Sequence, residues 1–240
     1  MSERSLRGTL PLYARVRSWI LLPVGVALLI LTLTLGLVAK SFGSSGPDIG
    51  VDVGLSEIRN PLLNALAVGV HVGLGPVGAV IILGVICVWL LFVRRAPLQS
   101  FAFGSITAVG WLSSEIGKFT VGRLRPPAVL VHPLVIESGR DSFPSGHTAF
   151  AASLSLAIIL VLTRPGMWRR WIIFAGVIFT VLVALSRLYL GVHYVSDVVG
   201  SVLISGAGVL MWLVLWNAFI EPRLDNSRLL ARFTSTTSLT

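Results

Sequence analysis

Long apolar runs without charge dominate the chain between residues 18 and 220, and short segments rich in arginine, glycine and proline divide them. A helix that crosses a bilayer needs about 20 mostly apolar residues. The runs predict six such spans, at about 18–39, 74–93, 98–117, 147–163, 171–186 and 194–220. The run 60–93 is too long for one perpendicular helix. Pro61, Gly69, Gly73, Gly75 and Pro76 crowd its first half, which reads as a short helix at the membrane surface or beside the bundle. The first run is too long for a signal-peptide core and no small-residue cleavage site follows, so it is expected to be retained. Residues 118–146 read as an extramembrane loop, and the Ser- and Thr-rich tail after Glu221 is expected to be disordered at its end. The expected fold class is all-α: an integral membrane bundle of six helices, one domain over 1–240, with no internal repeat.

Composition narrows the picture. Of 240 residues, 55% are hydrophobic and 12% charged, with a mean hydropathy of +0.88. A soluble domain carries roughly 25% charged residues, so a soluble globule is excluded, and so is a disordered chain, which needs low hydrophobicity. The net charge of +9 would suggest nucleic acid in a soluble protein. In a membrane protein it reports orientation, because Lys and Arg collect in cytoplasmic loops.

The candidate inner segments carry Arg4, Arg7, Arg15 and Arg17, then Arg94 and Arg95, then Arg164, Arg169 and Arg170, then Arg223, Arg228 and Arg232. They hold the whole positive excess, and the outer segments balance. A plasma (inner) membrane protein with cytoplasmic termini is expected, with the basic loops available to anionic lipid and no nucleic-acid partner. Trp19, Trp89, Trp168, Trp171 and Trp216 fall near the inner boundary, as an interfacial belt would. The single cysteine, Cys87, allows neither an intramolecular disulfide nor a cysteine metal site.

Three segments at the outer face carry the chemistry: Lys118 to Pro127, Ser142 to Thr148 and Ser186 to Asp197. Pro144-Ser145-Gly146 before a helix is a helix start with Ser145 as cap, and such a start offers backbone N–H groups to an anion. His147 stands in its first turn. His193 and Asp197 are four apart and would share a helix face, so that Asp197 accepts from one ring nitrogen and leaves the other as a nucleophile. Lys118, Arg125 and Arg187 supply fixed charge, two of them as guanidinium forks suited to phosphate oxygens. Stabilising the charge on a phosphoryl group in flight is most of the work of its transfer. Three cations and a helix start supply this without a metal or cofactor, and two histidines fill the roles of nucleophile and acid. The residues point to metal-independent phosphoryl transfer through a phosphohistidine.

These segments also resemble the three signature motifs of the type 2 phosphatidic acid phosphatases. That family is the membrane branch of a superfamily that includes the vanadium haloperoxidases and bacterial acid phosphatases. The resemblance rests on Lys118 with Arg125-Pro126, then Pro144-Ser145-Gly146-His147, then Ser186-Arg187 with His193 and Asp197. It extends to Gly122, Arg123, Phe143, Tyr189, Gly191 and Gly200. It implies that His193 is the nucleophile, that Asp197 orients it, and that His147 protonates the leaving group. It further implies that Lys118, Arg125, Arg187, Ser145 and the Gly146 backbone bind phosphate.

The expected function is a lipid phosphate phosphatase with its site on the extracytoplasmic side. A polyprenyl diphosphate such as undecaprenyl diphosphate is the favoured substrate, beside phosphatidic acid, phosphatidylglycerol phosphate or a polyprenyl-phosphosugar. A lipid phosphotransferase is the near alternative. A non-catalytic lipid-phosphate carrier would not need both histidines. Lys118 is also spaced to pair with Glu115. His71 reads as a packed or interfacial histidine and His132 as an exposed loop residue. Asp48, Asp52, Glu57 and Arg59 read as a solvated outer face, and Glu137, Arg140 and Asp141 as residues that edge the site without belonging to a motif.

Overall fold

The computed structural model describes residues 19–43, 46–137, 139, 141–220 and 223. Arg4, Arg7, Arg15, Arg17, Arg140, Arg228, Arg232 and the tail expected to be disordered lie outside the described residues. The described residues are helical: α1 (Leu21–Ser41), α2 (Ile49–Glu57), α3 (Pro61–Gly73), α4 (Pro76–Val88), α5 (Pro97–Val121), α6 (Ala128–Val131), α7 (Gly146–Ala157), α8 (Met167–Tyr189) and α9 (Val195–Leu215). The last turns after α4, α7 and α9 widen to π-helix, at Trp89–Val93, Ile158–Leu162 and Trp216–Ile220.

Local sequence sets the boundaries. Asn60 caps α3 by accepting from the Leu63 N–H at 3.0 Å, with Pro61 in the first helical position. Gly75 and Pro76 then break the long apolar run where a proline cannot continue the α3 ladder. α5 runs past the expected end at 117, so Lys118 is helical. It stops at Gly122, whose φ of +57° is the left-handed conformation that glycine adopts without a Cβ penalty.

Among the described residues, four helices are long and apolar enough to cross a membrane: Leu21–Ser41, Pro76–Val93, Met167–Tyr189 and Val195–Ile220. The other two expected spans correspond to α5, which is long but carries more polar residues, and to Gly146–Leu162, which is apolar but shorter. The last helix is central, with 56% of its apolar window buried against 17% for α1 and 11% for Pro76–Val93. Small residues admit its neighbours: a Cβ on Gly208 would meet Ser113 Oγ at 2.0 Å, and one on Gly25 would meet Met211 at 2.7 Å. Close backbone approach of this kind is how helices associate where lipid offers no hydrophobic gain.

Two readings are corrected. Trp19, Trp89, Trp168 and Trp171 are exposed, but Trp216 is buried against Phe101 and Trp212 and belongs to the core. The segment 48–59 is a solvated face only in part: Glu57 is exposed, but Asp48, Asp52 and Arg59 are engaged with the bundle. Asp52 is fully buried, Asp48 is ion-paired with Arg123, and Arg59 donates to the carbonyls of His132 and Tyr189. These contacts strap the segment over the bundle end that holds the three motifs.

Candidate active site

α8 ends at Tyr189, and Gly191, at φ +73°, turns the chain so that His193 precedes α9. His193 and Asp197 therefore do not share a helix face. Asp197 sits in the first turn of α9, where its Oδ2 accepts from the Tyr194 N–H at 2.9 Å and also lies 3.5 Å from His193 Nδ1. The nearer partner of Nδ1 is the Ser142 carbonyl, at 2.7 Å. A carbonyl oxygen only accepts, so Nδ1 carries the hydrogen and Nε2 keeps its lone pair. Burial holds the ring down to about pKa 4; Asp197 opposes this, and the charges of Arg187 and Arg125 add to it. The imidazole is neutral at pH 7.

Phe143 places that carbonyl. Its ring is fully buried between glycines of two helices: a Cβ on Gly200 of α9 would come within 2.4 Å of it, and one on Gly36 of α1 within 2.6 Å. Pro144 likewise seats on Gly117 of α5. The loop before α7 is thus keyed into three helices, and Ser142 inherits its position.

Asp197 is fully buried, and its second oxygen accepts from Arg123 Nη1 at 2.9 Å. The same guanidinium bonds Ser196 Oγ at 2.6 Å, pairs with Asp48 at 3.1 Å and lies 3.7 Å over the Tyr194 ring. Arg123 thus links the 48–59 strap to the carboxylate beside His193. Asp52 faces this cluster with both carboxylate oxygens lacking a hydrogen-bond partner among the described residues. Burial pushes it up to about 8, with the charges of Asp197 and Asp48 adding to the shift.

Lys118, Arg125, Gly146, His147 and His193 line one cavity of about 450 Å³ together with His71, Trp111 and Glu137. Arg125 Nη1 donates to the Val192 carbonyl at 2.8 Å and stands 3.4 Å from His193 Nε2. Lys118 pairs with Glu115 at 2.7 Å, as their spacing suggests. Ser145 is the residue before α7, but its hydroxyl accepts from Thr148 Oγ1 at 3.3 Å and caps no backbone N–H. The first N–H groups of a helix have no partner within it, and those of α7 start at the cavity.

His147 Nε2 lies 2.9 Å from the His71 carbonyl, and the two rings stack with centroids 5.3 Å apart. His71 is packed, as one of its two expected readings had it, but its packing is against His147 and it lines the candidate site. An ionisable side chain alone in an apolar run was the available signal. Arg187 is fully buried; its Nη1 meets His71 Nδ1 at 3.1 Å and its Nη2 donates to Glu137. Glu137 lies 3.8 Å from Arg125 as well. Burial opposes its ionisation, but the Arg187 and Arg125 charges prevail and hold its carboxyl below the usual range. One ligand-type atom each from His71, Glu137 and His147 lie within 4.8 Å of one another. A guanidinium already bonds two of the three, so the group is built around a fixed cation.

The described residues form an all-helical protein with apolar spans, and its cations and histidines gather at one bundle end, the setting a membrane phosphatase needs. A family model described as the PAP2 superfamily matches residues 99–221, and the chain belongs to that superfamily. It is 33% identical over 189 residues to phosphatidylglycerophosphatase B of Bacillus subtilis, covering 74% of this chain and 86% of that protein. It is 27% identical over 206 residues to an undecaprenyl-diphosphatase of Sulfolobus acidocaldarius, covering 83% and 90%. The crystal structure of a transmembrane PAP2-type phosphatidylglycerolphosphate phosphatase from Bacillus subtilis shares the fold. Its TM-score is 0.66 at 24% identity, over 85% of this chain and 98% of that one.

Proposed function

We propose that the protein is a six-span lipid phosphatase of the plasma membrane, with cytoplasmic termini and its cavity on the outer side, acting through a phosphohistidine. His193 Nε2 attacks phosphorus as the bond to the leaving oxygen breaks, and His147 gives that oxygen a proton. Water then attacks phosphorus as His147 takes its proton, the N–P bond breaks, and phosphate leaves with both histidines restored. Lys118, Arg125, Arg187, Ser145 and the Gly146 N–H hold the equatorial oxygens. Asp197 steadies the positive charge that develops on His193.

One observation carries the reading: Nδ1–H of His193 is held by Ser142, and Nε2, left as the acceptor, faces Arg125 Nη1 at 3.4 Å, a contact that an incoming phosphate would take over. A nucleophile and an anion-binding fork thereby meet at one point. The relatives' names, an undecaprenyl-diphosphatase and a phosphatidylglycerophosphatase, support a lipid substrate. A polyprenyl diphosphate is the preferred candidate, ahead of phosphatidic acid or phosphatidylglycerol phosphate. The test is phosphate release from a panel of lipid mono- and diphosphates by detergent-purified protein with chelator present. Activity should survive chelation and vanish in His193→Ala; turnover retained in that variant, or strict metal dependence, overturns the mechanism.

A further inference from the structure

The two guanidiniums assigned to phosphate are already occupied. One Glu137 oxygen accepts from Arg187 and lies 3.6 Å from His71 Nδ1, and the other lies 3.8 Å from Arg125. Arg187 has no exposed surface, whereas Glu137 lines the cavity. Two cavity-lining groups bond Arg187, the His71 ring and the Glu137 carboxylate, and an anion reaching the guanidinium from the cavity most directly takes the place of the anionic one. A planar carboxylate bridging two forks presents two anionic oxygens much as phosphate does. Glu137 belongs to no helix; it lies in the segment between α6 and α7, so its side chain is not tied to a helical ladder.

We propose that Glu137 is an internal anion that holds the phosphate subsite between Arg125 and Arg187 and yields it to a dianionic terminal phosphate in preference to a phosphodiester. The inference rests on the reading of Arg125 and Arg187 as phosphate ligands. Displacement exchanges one carboxylate charge for the charge of the incoming group. A terminal phosphate brings nearly two charges and three free oxygens, and a phosphodiester brings one charge and two. The comparison decides selectivity, because specificity is a difference of affinities. In a membrane, phosphodiester headgroups crowd the rim of the cavity, and the carboxylate keeps them off the cations. After turnover the same carboxylate competes with product phosphate for the forks and favours its release.

Competition of this kind weakens apparent affinity by the fraction of molecules whose site is open; a carboxylate in place nine times in ten imposes roughly tenfold. The experiment compares wild type, Glu137→Gln and Glu137→Asp in detergent. Inorganic phosphate binding is measured by titration calorimetry, and inhibition by orthovanadate and by phosphatidylglycerol is measured against a short-chain lipid phosphate. Glu137→Gln should bind phosphate and vanadate on the order of tenfold more tightly, and phosphatidylglycerol should change from a poor inhibitor to an effective one. Glu137→Asp, whose carboxylate falls short of the forks, should move in the same direction by less and serves as the second variant if the amide destabilises the fold. Unchanged or weaker anion binding in both variants overturns the inference while wild-type binding and turnover leave the phosphatase reading standing. A wild type that binds neither anion and releases no phosphate overturns both.

Discussion

The Ser142 carbonyl lies 2.7 Å from Nδ1 of His193, closer than the Asp197 carboxylate at 3.5 Å. The ring tautomer is therefore held by backbone, and Asp197 acts mainly through charge. Where a carboxylate alone sets the tautomer, its amide variant costs about 10⁴ in rate. Here Asp197→Asn should lower kcat by only about 10- to 100-fold, since Ser142 still fixes Nδ1–H. A loss as deep as that of His193→Ala, in steady-state assays of the same preparation, would return the tautomer to Asp197.

Phe143 is the device that places Ser142. Gly200→Ala puts a methyl where the ring lies 2.4 Å away, and overpacking of that kind costs about 1–3 kcal/mol. The displaced ring should drag the Ser142 carbonyl, so kcat should fall more than KM rises. Phe143→Leu on the Gly200→Ala background should restore part of the loss. A strictly additive double-mutant cycle in kcat and Tm would separate Phe143 from the site.

Arg123 is nearly fully buried and neutralises Asp48 and Asp197 together. Removing one partner of a buried pair typically costs 3–5 kcal/mol because the other charge is left unpaired. Arg123→Ala should destabilise by that amount in thermal unfolding, and Asp48→Asn by less, since Asp197 keeps its partner. Equal Tm values for wild type and Arg123→Ala would remove the network from the stability of the site.

Asp52 provides a pH signature. Its folded pKa of about 8 lies well above the ordinary carboxyl value, so the folded protein holds a proton that the unfolded chain gives up. The stabilisation this supplies is complete below about pH 4 and is lost as pH rises toward 8. Asp52→Asn is neutral throughout and should gain Tm over wild type progressively from pH 5 to pH 8. A Tm difference that does not change with pH would show that Asp52 ionises freely.

His193 gives the opposite limb. With its folded pKa near 4, kcat/KM for a lipid diphosphate should have its acid limb well below pH 6, instead of near the ordinary imidazole value. An acid limb at about pH 6.5 that disappears in no other variant would place His193 in a more solvated setting.

Much of this arrangement could be read from the linear chain, and the parts that could not share a cause. Proline and glycine at 73–76 and at 97 mark helix boundaries because they act on their own backbone, and the apolar runs mark candidate spans because bilayer length is a local demand. Lys118, Arg125, His147 and His193 were legible as one set because each lies beside a turn or helix end with a local signature, and they line one cavity. His71, Glu137 and Asp48 carry no such signature. His71 sits in an apolar run and Asp48 in a loop of ordinary polarity, and only packing brings the first to Arg187 and the second to Arg123.

Hydropathy and spacing by themselves determined a helical membrane protein with its histidines and paired cations in three segments, since solvent transfer and helix geometry act on neighbours in sequence. Tertiary structure alone decided which atom holds the His193 hydrogen, why Phe143 needs Gly36 and Gly200, and which carboxylate covers Arg187. Those outcomes depend on contacts between remote segments, such as Ser142 with His193 and Glu137 with Arg187. Hydrogen-bond direction and burial are properties of the pair once it has met, and neither residue carries them alone.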